Sequence, residues 1–360
     1  MIYLEGKPAV LHSVTSQKAV AEMSFREMSF RAKREISDRN SSSPSAPRND
    51  GSRRFSPLFE KSLHSCENPR FLGFFVCIAA FVALAAGCQE EGAAKARKAV
   101  REKDAPKVAE IVLEDLKRHA QGLRKAAARV APGFVRVSGK QQEKDMRLTL
   151  KLLRLPRQNN KVKVDELVIS PMSFMAVVAR NGMVIARDLP EEKDRMKGMN
   201  LAALFPAVEN ALLGKESRGI GQFENPVKGG KPSVTLIMAA PSRYQGQVEG
   251  CLVLGIPLWR IAQRLSRQLQ TEYAGTGTVI WVYLYRGDEL HHFGTPDSLD
   301  LVVPDAKARK QGLAKSPGGF TGEMYQFGSW YGYGVRPLRI LGDDVGAIIF
   351  RMEGEKKGKK

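Results

Sequence analysis

Arginine and tyrosine are the residues of this chain whose types and spacing offer chemistry. Arg187 closes the apolar run "GMVIAR", and Arg243 and Tyr244 follow "TLIMAAP". Where water is excluded, a guanidinium grips a carboxylate through two parallel hydrogen bonds. These three residues are therefore candidates for holding an anionic or zwitterionic small molecule. A second set, Tyr283, Tyr285, Trp330, Tyr331, Tyr333 and Arg336, offers aromatic walls with a cation. Tyrosines alternating as in "WYGYG" serve equally as ordinary cross-strand packing.

Hydrolysis or group transfer needs a nucleophile with a base, paired carboxylates, a metal cluster or a phosphate loop. His291 and His292 are adjacent, and adjacent strand residues point to opposite faces, so they do not simply ligate one metal. "GTGT" at 275–278 precedes a strand, whereas a phosphate loop opens a helix. Met172, Met175, Met183, Met196 and Met199 lack a fixed ligand spacing and suit core or loop. No catalytic activity, cofactor or metal is expected.

The elements that must position the candidates follow from periodicity. From Pro106, Val108, Ile111, Val112, Leu116, Leu123, Ala127 and Val130 recur at three- and four-residue steps. They predict a long amphipathic helix with Pro106 at its permissive first turn. "FMAVVARNGMVIARD" reads as two strands around Asn181-Gly182, a pair suited to a tight turn. "LAALFPAVENALLG" reads as one helix ended by Gly214, and "IGQFEN", "SVTLIMAAP" and "VEGCLVLGIPL" as three further strands. The order recurs from Thr278: the hairpin "TVIWVYLYRGDELHHFG", the helix "PDAKARKQGLA" and three more strands. Pro241 and Pro337, like Gly250 and Gly346, are 96 residues apart, which points to duplication.

The hairpin with "NG.V.AR", the helix "PAVENAL.G" and "AAPSRYQGQVEGCLVLGIPL" followed by "WRIAQRLSRQL" resemble a Cache domain, the extracytoplasmic relative of PAS sensors. Two modules behind one long helix resemble a double Cache arrangement over Ala105–Glu353. The resemblance implies an α+β fold with antiparallel sheets and a small ligand, often a carboxylate, amino acid or amine, between a sheet and its overlying loops. The Tyr-Arg-Trp-Tyr-Asp constellation of amino-acid-sensing members is not found in the first module, so amino-acid binding does not carry over. Family receptors continue through the membrane into a signalling domain. Here only "GEKKGKK" follows the last strand, so the chain is expected not to signal into the cytoplasm by itself.

Composition fits a globular protein, 43% hydrophobic and 26% charged, with net charge +19. The basic residues are interspersed with acids except near Arg31–Arg39 and in the terminal "EKKGKK", so no nucleic-acid groove is expected. Cys66, Cys77, Cys88 and Cys251 make neither a disulfide framework nor a zinc pattern, and Cys251 reads as a buried small hydrophobe. The run Phe71–Gly87 is uncharged, follows Arg70 and closes on "LAAGC". It is short for a membrane span, and its small residues suit a signal-peptide cut. It resembles a bacterial lipoprotein signal with Cys88 as the acylated residue, although Ala85 stands where the family pattern has Leu. The preceding segment repeats "EMSFR" and turns polar, so the true start is expected between about Leu58 and Pro69.

The expected layout is therefore 1–69 a disordered segment ahead of the true start, 70–88 lipoprotein signal, 89–105 tether, 106–173 helical region, 174–270 first Cache-like module, 276–353 second module and 354–360 basic tail. The expected function is binding of a small ligand, or its presentation to a partner sensor, by a lipid-anchored envelope protein. The alternative is a structural envelope lipoprotein that uses the fold as an interaction surface. Partners would be a small molecule, the membrane through the anchor, and an envelope protein or a second copy. The site would face the periplasm, with the outer membrane favoured by Gln89.

Overall fold

A computed structural model of the protein describes residues 91–136, 138–170, 174–223 and 232–354. The apolar run, Cys88 and the tail beyond Gly354 lie outside the described residues. Among the described residues no helix is long and apolar enough to cross a membrane.

The chain is helical from residue 91, through a π-turn at Val100–Asp104, into α1 (Ala105–Val130). Pro106 thus stands inside a continuous helix, not at its start. Proline lacks an N–H, and its ring crowds the carbonyl four residues back. The π-turn widens the helix just before it, with the Ala105 N–H donating to the Val100 carbonyl. The tether expected over 89–105 is corrected accordingly, because Ala93, Ala96 and Val100 are fully buried. Asp104, also fully buried, accepts hydrogen bonds from Tyr273 Oη (2.8 Å) and Arg351 Nη1 (3.0 Å). The π-turn therefore ties the helix to the last strand of the fold.

All seven apolar positions expected on α1 are buried, and α2 (Gly139–Leu153) adds Met146, Leu150 and Leu153 to the same layer. Two sheets follow. The first contains β1 (Phe174–Ala179), β2 (Val184–Arg187), β3 (Ser217–Phe223), β4 (Ser233–Tyr244) and β5 (Gln247–Pro257). The second contains β6 (Val279–Arg286), β7 (Glu289–His291), β8 (Phe320–Gln326), β9 (Ser329–Pro337) and β10 (Val345–Met352). Their orders are β2-β1-β5-β4-β3 and β7-β6-β10-β9-β8, antiparallel throughout, so the second sheet repeats the first strand for strand. This is an α+β fold with a long amino-terminal helix and two modules, the arrangement that the Cache resemblance implies.

One apolar layer joins the inner faces of both sheets to α1, α2 and α4 (Leu258–Glu272). Each sheet carries a separate cluster on its outer face, under α3 (Pro206–Leu212) in the first module and beside α5 (Ala306–Lys315) in the second.

Four local readings are corrected. The single helix expected over 201–214 is broken at Phe205, which precedes Pro206 and takes an extended conformation. At Asn181-Gly182 only Gly182 has positive φ (85°); Gly182 N donates to Ala179 O and Ala179 N to Met183 O, giving a three-residue turn. The helix α4, assigned to the first module by a boundary at 270, instead covers an open edge of the second sheet. Ser266 Oγ accepts from Val282 N (2.9 Å) and Gln270 Nε2 donates to Ile280 O (2.9 Å), where β7 is too short to reach. Finally, Pro241 and Pro337 occupy matching positions, opposite Cys251 and Gly346. Gly250 therefore matches no glycine: it lies one residue away, on the opposite face of its sheet.

Candidate functional site

Arg187 ends the edge strand β2, opposite Ala176 on β1. The rung continues through Val253 on β5 to Ala239 on β4. Ala176, Val253 and Ala239 belong to the outer-face cluster, so Arg187 points to that face above a floor of small side chains. It is 2% exposed. Beside it Phe174, Phe223 and Phe205 form an aromatic row, with ring centroids 4.9 and 6.0 Å apart, and the Arg187 guanidinium lies 5.7 Å from the Phe174 ring.

The surrounding charges are paired with one another. Arg147 on α2 donates to Glu143 (2.8 Å) and Asp194 (2.9 Å), Arg154 to Asp188 (3.0 Å), and Lys197 to Glu143 (2.5 Å) and Glu191 (3.0 Å). Asp194 also accepts from the backbone N–H groups of Arg187, Met196 and Lys197, which folds the 188–198 loop back over β2. Although desolvation works the other way, hydrogen bonds from Lys197 and Arg147 hold the Glu143 carboxyl below its usual range. Arg187 is the exception. Its Nε and Nη1 are buried without a hydrogen-bond partner, and its nearest carboxylate, Asp188, is 3.8 Å away and already engaged by Arg154 and Met175 N. Burial lowers its pKa from the ordinary arginine value, only partly offset by Asp188 and Asp194. A carboxylate is the group that would satisfy such a fork.

Arg243 and Tyr244 do not join it. On β4 Arg243 lies four residues beyond Ala239, beside the β4–β5 turn. Three strand spacings and four residues along the strand separate it from Arg187 by about 20 Å. Arg243 is exposed and donates to the carbonyls of Gly214 (2.9 Å) and Gly246 (3.3 Å), capping two turns. The charged residues around Arg187 were not singled out in the sequence. The legible signal was "DLPEEKDRMKG", a dense charge loop directly after the strand, and the i,i+4 pair Glu143–Arg147.

The second set divides between two faces. Tyr283, Tyr285 and Tyr333 belong to the outer-face cluster with Phe350 and Ile348. Trp330 and Arg336 lie on the inner face of the same sheet, since Arg336 pairs with Ala347 of the shared layer and Trp330 shares the parity of Gly332 and Gly334. Those two glycines let the backbone of the 91–104 helix approach β9, where a Cβ on Gly332 would collide with Arg97 and one on Gly334 with Val100. Because Trp330 and Arg336 lie on the face opposite Tyr283, Tyr285 and Tyr333, the six residues of the second set do not form one wall.

On the outer face of the second module the rings pack against one another, beside an open cleft lined by Asp288, Leu290, Asp300, Val303 and Arg309. Tyr283 is fully buried, packs on Phe350 (5.6 Å between centroids) and His292 (4.5 Å), and donates to Asp300 Oδ1 (3.0 Å). Asp300 Oδ2 also lies 3.2 Å from His292 Nε2. His291, as expected from strand alternation, pairs with Leu284 of the opposite face. Arg309 on α5 is buried over the Tyr285 ring (4.7 Å) and donates to the carbonyls of Pro304 (2.6 Å) and Gly287 (2.7 Å). Its Nη1 and Nη2 thus have partners within the chain, while its Nε, like that of Arg187, is buried without one.

No family model and no curated protein matches this sequence. Among solved structures, the chain is similar to the sensor domain of the V. cholerae histidine kinase DctB, with 12% identity over 71% of this chain and 96% of that one and a TM-score of 0.42. It is similar to the ligand-binding domain of the Pseudomonas aeruginosa PAO1 amino acid chemoreceptor PctB in complex with L-Arg, with 15% identity, 72% and 96% coverage and a TM-score of 0.41. It is also similar to the ligand-binding domain of the Campylobacter jejuni chemoreceptor Tlp3 in complex with 4-methylisoleucine, with 10% identity, 76% and 96% coverage and a TM-score of 0.44.

Proposed function

We propose that this is a non-catalytic, lipid-anchored protein of the cell envelope whose first module binds a small molecule bearing a carboxylate, in free or zwitterionic form. The second module, whose outer-face rings pack against one another, supports the first. Cys88 is the acylated residue, the modules face the periplasm, and the outer membrane is favoured. A partner sensor or a second copy reads the bound state, and nucleic acid plays no part. One observation carries the binding role: Arg187 is buried with two unpartnered nitrogens, while Arg147, Arg154 and Lys197 around it are each paired with carboxylates. The three phenylalanines beside it suit a ligand with an apolar body.

Thermal shift against carboxylates and their neutral amide analogues tests the reading. A ligand at a hundred times its dissociation constant adds about 2.7 kcal/mol of stability. Acids are expected to shift the transition where amides do not. Arg187→Met is expected to abolish that response, and Arg243→Ala to keep it. If no acid binds, or Arg187→Met binds as well as the parent, the module is an interaction surface instead.

A further inference from the structure

The β8–β9 hairpin ends in "YQFGSW", and its tip is aromatic. Tyr325 and Trp330 face each other across the strands with ring centroids 5.5 Å apart. Phe327 occupies the turn, half exposed, at φ 52°. An aromatic residue rarely adopts that left-handed conformation, which glycine or asparagine takes freely. The following Gly328, at φ 71°, satisfies the turn's other positive-φ position. Turn formation therefore does not explain why a phenylalanine stands there.

The hairpin's course shows what lies beyond the tip. Gly334 meets the helix at Val100 and Gly332 at Ala96 and Arg97, and Glu323 pairs with Arg97 at 3.2 Å. Moving towards the tip thus means moving towards the helix's amino-terminal end. At about 3.4 Å per strand residue and 1.5 Å per helix residue, Gly328 comes level with residue 91 or slightly beyond. Cys88 is three residues before Glu91, so it is within about 11 Å of that end whatever path it takes. The last strand ends beside Gly332, so the four residues from Gly332 to Gly328 project past it. Lys95 and Lys98 are exposed on the first turns of the helix.

We infer that the β8–β9 tip is a membrane-docking element. Phe327, flanked by Tyr325 and Trp330, enters the interface of an anionic bilayer while Lys95 and Lys98 at the helix start meet its headgroups. Aromatic rings partition to this depth, and basic residues add attraction to acidic lipid. The inference deepens the envelope reading but does not require acylation. Vesicle binding is measured without a lipidated cysteine, so it succeeds or fails independently of Cys88 modification.

The test uses residues 88–360 carrying C88S, which retain every described residue, with vesicles of phosphatidylglycerol and phosphatidylethanolamine or of phosphatidylcholine alone. Co-sedimentation is expected with the acidic vesicles, weakening with salt, together with a blue shift of tryptophan emission. F327G is expected to raise the apparent Kd at least tenfold without lowering the thermal midpoint, because glycine relieves the left-handed turn. Absence of binding to acidic vesicles, or F327G binding like the parent, overturns the proposal. A self-association that F327G abolishes without lipid would also overturn it, assigning the tip to a second copy of the chain.

Discussion

In the first module the rung beneath the outer face reads Arg187, Ala176, Val253, Ala239; the matching rung of the second reads His292, Tyr283, Ile348, Val335. The next rung contrasts Phe174, Gly255 and Ile237 with Trp281, Phe350 and Tyr333. One strand order thus carries two surfaces. One is packed with large rings, of which Tyr283 and His292 hydrogen-bond to Asp300. The other has small residues and a buried cation with open valences. Arg309 and Arg187 make the same point: both are buried beside an aromatic ring, but only Arg309 has carbonyl acceptors.

Changing the ring-packed second module should have the largest effect. Tyr283→Ala removes a fully buried ring and leaves Asp300 without its phenol donor. It is expected to lower stability by about 3–5 kcal/mol in denaturant titrations. A loss below about 1 kcal/mol would mean that the outer face is loosely packed and the contrast between modules is false.

A second test acts on the layer shared by both modules. His119 is buried in a pocket lined by Asp115, Arg264 and Leu341, with Nδ1 unpartnered. Burial first, then Arg264 and Arg118, hold its pKa down to about 4 from 6.5. The unfolded chain therefore binds a proton that the folded chain refuses between those values, so stability falls as pH drops from 6.5 towards 4. The shift corresponds to about 3 kcal/mol. Asp115, whose carboxyl burial raises, titrates in parent and variant alike. His119→Leu is expected to flatten this acid limb, and an unchanged stability–pH profile would count against a neutral buried histidine. Because the layer is common, carboxylate binding should survive the substitution.

Arg309→Met, the smaller perturbation, strips two carbonyls of their donor and should destabilise by about 1–3 kcal/mol, measured by chemical unfolding. A neutral or stabilising result would place Arg309 in the same unsatisfied class as Arg187 and remove the distinction between them.

Much of the architecture was legible because it follows from periods. The apolar steps from Val108 to Val130 specify one buried face, and the strand runs specify both sheets. Cys251 was read correctly as a buried small residue, and desolvation pushes its thiol up to about 12. Phase within a strand was harder. Trp330 and Arg336 were grouped with Tyr333 by proximity in sequence, although parity sends them through the sheet. Gly332 and Gly334 marked the helix-facing side, but their use becomes clear only when the helix is known to begin at residue 91. Arg187 and Arg243 looked alike because each ends a strand. Which of them is buried depends on the 188–198 loop and α2, whose approach no local pattern announces.

The central claim is that Arg187 is held for a ligand and contributes nothing to the fold's own stability. Replacing a buried cation with two unpartnered nitrogens and only a 3.8 Å approach to Asp188 by an apolar side chain should stabilise the empty protein by about 1–3 kcal/mol. Unfolding of the ligand-free parent and Arg187→Met, measured side by side in urea and repeated with the acid that shifts the parent most, is the direct test. The expected result is a more stable empty variant that no longer responds to the acid. A less stable variant would contradict it and make Arg187 a structural residue.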